Sequence, residues 1–213
     1  PARSAPAHAR ALFEWWAVQL ERPLWIERSG AAIDYMGSLD AHFEGARFLH
    51  IHRQGEEAAL SMRGHHAFRL AIMLANRLEP GTGRSAAELR AASPDADRIT
   101  QLLESRPPAA LFGKWWNDQV ERGVAARAEL PADRYREIRF EDLLAKPGDT
   151  LAVVARFLAL PDPEGPWREA AAALVKAPPA RRLDDLPQAE RDALMRACAQ
   201  GNAALGRAPA SPG

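Results

Sequence analysis

Apolar positions recur at two different periods along the chain, and the alternation between them predicts the architecture. Over residues 8–21, Leu12, Phe13, Trp16 and Leu20 return at helical spacing, and Pro23 follows where the helix ends. LWIE (24–27) is an apolar run between Pro23 and the turn-forming Ser29-Gly30, the signature of a short strand. AAIDYMGSLDAHF puts Ile33, Met36 and Leu39 on one helical stripe, and RFLHIH (47–52) reads as a second strand. Gly55 breaks that strand, and residues 55–64 read as a helix. A further helix is expected over 65–80. Residues 81–108 are Arg-rich and interrupted by Ser93-Pro94 and Pro107-Pro108, which predicts short helices and loops. LFGKWWNDQVERGVAARAEL predicts a long helix stopped by Pro131, and RYREIRF (134–140) a third strand. EDLL, DTLAVVARFLAL and GPWREAAAALVKA are helical in pattern. PQAERDALMRACAQGNAALG closes the set, with Pro187 at its start and Gly206 past its end.

Strands interleaved with helices imply an α/β, helix-rich protein whose parallel sheet is flanked by helices. The 213 residues suit a single domain, with 1–7 and 207–213 disordered by composition and 65–130 forming a helical substrate-side region. Three strands are few for such a sheet. The chain opens at Pro1 and has its first methionine at Met36, so a further N-terminal piece is expected upstream.

Composition narrows the function. A hydrophobic fraction of 47% supports a packed core, and Lys+Arg and Asp+Glu both number 28, so nothing draws the chain to nucleic acid. Cys198 is the only cysteine, which excludes an internal disulfide and fits a reducing compartment. No apolar run approaches the length of a membrane span, and PARSAPAHAR has no signal-peptide core, so a cytoplasmic location is expected. The oligomeric state is not legible.

The candidate chemistry lies at the strand ends. Arg28 follows LWIE and Arg53 follows RFLHIH, which sets two guanidiniums over the carboxyl edge of a sheet, where such folds bind ligands. With Ser61 they suit separate phosphate or sulfonate groups, since arginine forks pair bidentately with tetrahedral oxyanions. The plainer alternative is that both arginines pair with carboxylates such as Glu27 and Glu44. Trp15-Trp16 and Trp115-Trp116 either line an aromatic acceptor pocket or, as expected in helices, bury one member of each pair. The six histidines show no ligand spacing, and no metal is expected.

WIERSG, ARFLHIHRQGEEAALSMRGHHAFRL and ADRYREIRFEDLLAKPGDTLAVVARFLALP together resemble a sulfotransferase that uses 3′-phosphoadenosine 5′-phosphosulfate (PAPS). The similarity runs roughly from Leu24 to Pro161, with a weaker echo over 181–206. It implies the P-loop-like sulfotransferase fold and a sulfuryl transfer from PAPS to an acceptor hydroxyl or amine on a small molecule, glycan or peptide. In that family an arginine ending a strand and a serine eight positions later clasp the nucleotide 3′-phosphate, and Arg53 and Ser61 match both types and the interval. Arg28 stands where the family has a lysine near the sulfonate. Phe140 stands where the family commonly has a tyrosine near the nucleotide, or is a plain core aromatic, and Arg181 and Arg182 either offer the 3′-phosphate a contact from a C-terminal loop or are a solvated pair of charges. Glu56-Glu57 replaces a usual Arg-Asp and weakens the attraction for anions.

The family's Pro-x-Ser-Gly-Thr-Thr loop, which holds the 5′-phosphosulfate, has no counterpart in the sequence; PGTGRS (80–85) follows a helix and reads as a turn. His65 and His66 are the candidates for the general base. His50 and His52, on one face by strand alternation, are expected to pack or hydrogen-bond, and Glu27 beside Arg28 is a poor base. The other outcome left open is a non-catalytic relative that keeps the fold as a nucleotide-binding or interaction surface. An ATP-using kinase ranks last, for want of a Walker lysine motif.

Overall fold

A computed structural model describes residues 4–30, 32–75, 107–160, 165–176 and 182–208, apart from the side chain of Leu74. It is α/β and helix-rich, with a parallel sheet flanked by helices, and it divides into two compact units. One is drawn from Pro1–His52 and Arg122–Lys176, the other from Arg53–Glu121 and Ala177–Gly213.

The first unit opens with α1 (Ala5–Gln19), which starts before His8 because Ser4 Oγ accepts the Ala7 N–H at 3.4 Å and Pro6 suits a first turn. A 3₁₀ turn (Ala32–Tyr35) leads into α2 (Met36–His42), with Met36 buried. Strand β1 (Phe48–His52) pairs in parallel with β2 (Tyr135–Arg139), in a register running from Phe48 opposite Tyr135 to His52 opposite Arg139. After β2 come α6 (Phe140–Ala145), α7 (Pro147–Leu158) and α8 (Pro166–Ala173), packed in succession; Ala152 and Ala155 bury the inner face of α7.

The expected strand at 24–27 does not form, so Arg28 is not at a strand end. Among the described residues the segment has no ladder partner. Its Trp25 ring instead stacks on Phe13 at 4.4 Å and meets Phe43 edge-on at 5.7 Å, which ties it to α1 and α2 while Ile26 faces solvent. The expectation of one buried tryptophan in Trp15-Trp16 also fails, because α1 buries no residue and both rings are about half exposed.

The second unit contains α3 (Gly55–Gly64), with the bounds the pattern predicts, and α4 (His66–Ala75). It also holds most of α5 (Ala109–Arg127), a 3₁₀ turn (Leu183–Asp185) and the long α9 (Gln188–Ala204). Phe112, Ile72, Leu183, Leu194 and Cys198 are fully buried here. The sequence expectation for the second tryptophan pair holds, with Trp116 buried and Trp115 at the margin. The close of the predicted 65–80 helix, PGTGRS and nearly all of 81–108 lie outside the described residues. Among the described residues, no helix is long and apolar enough to cross a membrane.

Candidate functional site

Everything at the start of α3 is tied to the C-terminal part of the chain. Gly55 donates its N–H to Asn202 Oδ1 at 3.1 Å, which satisfies one of the amides a helix start leaves orphaned. Asn202 Nδ2 in turn donates to both carboxylate oxygens of Glu56, at 3.1 and 3.2 Å. Glu56 is 1% exposed and Asn202 2%, so this is a fully desolvated charge held by hydrogen bonds. Gln54, just ahead, donates to the Ala208 carbonyl and accepts from Arg207. Further along, Arg63 pairs with Glu190 at 2.8 Å, and Glu190 also accepts the Ala109 N–H.

Glu57 occupies the third helical position, where a glutamate often folds back onto the helix cap. Here Oε1 accepts the Leu183 N–H at 3.1 Å and Oε2 takes Arg53 Nη2 at 3.3 Å. Arg53 therefore pairs with Glu57, and its side chain is about one-fifth exposed. Ser61 lies one turn beyond Glu57 on the same face of α3 and is partly buried. Arg53, Glu57 and Ser61 thus form a row, with the carboxylate in the middle. The peptide after Arg182 is anchored to that row through Leu183, and the Arg182 side chain is exposed.

His65 caps the C-terminal end of α3, its ring 5.4 Å from Phe68 and edge-on to it; His66 opens α4, and both histidines are exposed. Arg28 and Glu27 are exposed in the unpaired segment of the other unit. Phe140 opens α6 directly after β2, and Arg181 lies outside the described residues.

A second polar cluster sits on one face of the two-stranded sheet. Tyr135 Oη donates to Glu137 Oε1 at 3.2 Å and contacts His50 Nδ1 at 2.9 Å. The hydroxyl proton is spent on the glutamate, so His50 donates to the hydroxyl from Nδ1. Arg127 ion-pairs with Glu137 and lies over the Tyr135 ring at 5.8 Å. His52, buried at 5%, places its ring 5.4 Å from His50. Packing and hydrogen bonding are what strand alternation predicted for these two histidines; Tyr135 as the partner of His50, and Glu137 behind it, were not foreseen, although β2 repeats the same alternation.

Burial, reinforced by Glu137, pushes the Tyr135 hydroxyl well above its ordinary 10.0. Burial, reinforced by Glu56, pushes the Cys198 thiol well above its ordinary 9.0. Both groups stay neutral in the folded chain where the unfolded chain would ionise them. Their contribution is therefore complete below pH 9.0 and is lost as pH rises beyond it. Chemical denaturation across pH 8 to 11 is expected to show stability falling above about pH 9, with Tyr135→Phe and Cys198→Ala each flattening part of the fall. A flat profile in the unaltered chain would contradict this.

The sulfotransferase family model matches residues 101–164, under a third of the chain. The match takes in α5, β2, α6 and α7 and supports a sulfotransferase-type function; Arg28, Arg53 and Ser61 lie outside it. No curated protein and no solved structure matches significantly.

Proposed function

We propose that the chain is a sulfotransferase that moves a sulfuryl group from PAPS to an acceptor hydroxyl or amine. The observation that carries this is the row on α3. An arginine just ahead of the helix and a serine two turns in flank one short stretch of surface, and the turn after Arg182 is fastened to the same stretch. A guanidinium and a hydroxyl are the donor set a phosphate dianion requires. Arg53 and Ser61 hold the 3′-phosphate, with Arg182 on its outer side.

In the transfer, the acceptor oxygen or nitrogen attacks sulfur in line. A new bond to sulfur forms as the bond from sulfur to the 5′-phosphate oxygen breaks, and that oxygen leaves on 3′-phosphoadenosine 5′-phosphate. His65 or His66 receives the acceptor's proton.

Calorimetric titration with 3′-phosphoadenosine 5′-phosphate tests the assignment. Arg53→Ala is expected to weaken binding by about 100-fold, the loss of a charge-assisted bidentate contact. An affinity unchanged in the mutant would remove the 3′-phosphate from Arg53.

One observation favours a second reading, a nucleotide-binding relative without transfer activity: two glutamates lie in the first turn of α3, and one already engages Arg53. Binding of the nucleotide with no sulfuryl transfer from PAPS to any of a panel of hydroxyl and amine acceptors would select it.

A further inference from the structure

The Glu57 carboxylate lies between the two groups to which the 3′-phosphate is assigned. Its own fixed bond is to the Leu183 N–H, and its second oxygen faces the Arg53 guanidinium at 3.3 Å. Glu57 is 8% exposed, so its charge is poorly screened by water, and Ser61 is its neighbour one turn on. Any anion that engages Arg53 and Ser61 together meets this negative charge at close range.

We propose that Glu57 determines the strength and selectivity of the phosphate site by competing with the ligand for Arg53. This rests on the 3′-phosphate being held by Arg53 and Ser61. The carboxylate satisfies one fork of the guanidinium, so an incoming phosphate gains only the difference between its own pairing and that of Glu57. It also feels direct repulsion, which grows with its charge. The bond to Leu183 prevents Glu57 from swinging away, so the penalty is built in.

The chemistry gives such a penalty a use. Sulfuryl transfer leaves the 3′-phosphate untouched, so donor and product nucleotides bind this subsite alike. A grip on it adds equally to both and delays product release. A carboxylate that weakens the subsite shortens the residence of the product.

The test compares the unaltered chain, Glu57→Gln and Arg53→Ala, titrated with 3′-phosphoadenosine 5′-phosphate and with adenosine 5′-phosphate, which lacks the 3′ group. Gln is isosteric and keeps the acceptor for Leu183, so the fold is retained; Glu57→Ala is a second neutral variant with the same expected direction. The bisphosphate should bind Glu57→Gln about tenfold more tightly than the unaltered chain, with a correspondingly slower dissociation, while adenosine 5′-phosphate is unaffected. A merely structural Glu57 would weaken both ligands together. If the neutral variants bind the bisphosphate no more tightly while Arg53→Ala loses it, the competition is overturned and the phosphate assignment stands. If Arg53→Ala binds as well as the unaltered chain, the assignment falls and the competition with it.

Discussion

Replacing Asn202 with alanine is expected to cost about 4 kcal/mol of stability, the largest loss from any single polar side chain in the described structure. Three bonds depend on it, two to the Glu56 carboxylate and one from the Gly55 N–H. Without the amide, Glu56 is left as a buried charge stripped of its donors, and the helix start regains an orphaned N–H. Neither group reaches water, since both residues are buried. Glu56→Gln should be far milder, because it removes the charge together with the demand for it to be solvated. A urea midpoint that moves by the equivalent of less than about 1 kcal/mol in Asn202→Ala would show that the clasp contributes little.

The second large effect is steric. A Cβ on Gly55 would lie 2.4 Å from the Trp116 ring, and one on Gly201 would lie 2.7 Å from it. Neither glycine has a positive φ, so the backbone tolerates alanine at both places and only the indole excludes it. The ring is rigid and buried, flanked by the two glycines, and Asn117 beside it accepts the Gly201 N–H at 2.6 Å. Gly55→Ala is expected to destabilise by about 3 kcal/mol, the usual cost of forcing an extra methyl into a packed interior. In a Trp116→Leu background the same change should cost little, which gives a coupling of about 2 kcal/mol in the double-mutant cycle. Additive costs would mean that the ring does not set the requirement for glycine.

These residues also mark where the sequence stopped being informative. The bounds of α3, the two paired strands and the interval from Arg53 to Ser61 were legible because each depends on neighbours within a few positions. Periodicity, a strand-breaking glycine and helical spacing are local properties. LWIE shows the limit of that logic: four apolar letters between turn residues specify an extended segment but not a partner for it, and stacking of Trp25 on Phe13 decided otherwise. Trp16 follows a helical stripe too, yet a stripe does not state what will cover it.

Glu56 and Glu57 stand in the first turn of α3, where negative charge favours the helix dipole without any burial. Their burial is set by Asn202 and Leu183, which lie 146 and 126 positions away. The trace was the Gly201-Asn202 pair, two poor helix formers inside the long α9. The same distance effect hid the partners of His50.

The pairing of β1 with β2 also bears on how the chain reaches this structure. His50 and Tyr135 are 85 positions apart, and between the two strands lie α3, α4 and α5. Bringing the strands together closes a long loop, an entropic cost met before any ladder bond forms in return. Helices such as α3 and α7 need only local contacts and form early, on the microsecond scale, whereas the sheet must wait for them. Folding is therefore expected to be limited by closure of β1 onto β2. Substitutions in this pair that lower native stability, such as Ile138→Val at the buried position opposite Ile51, should then slow folding more than they speed unfolding.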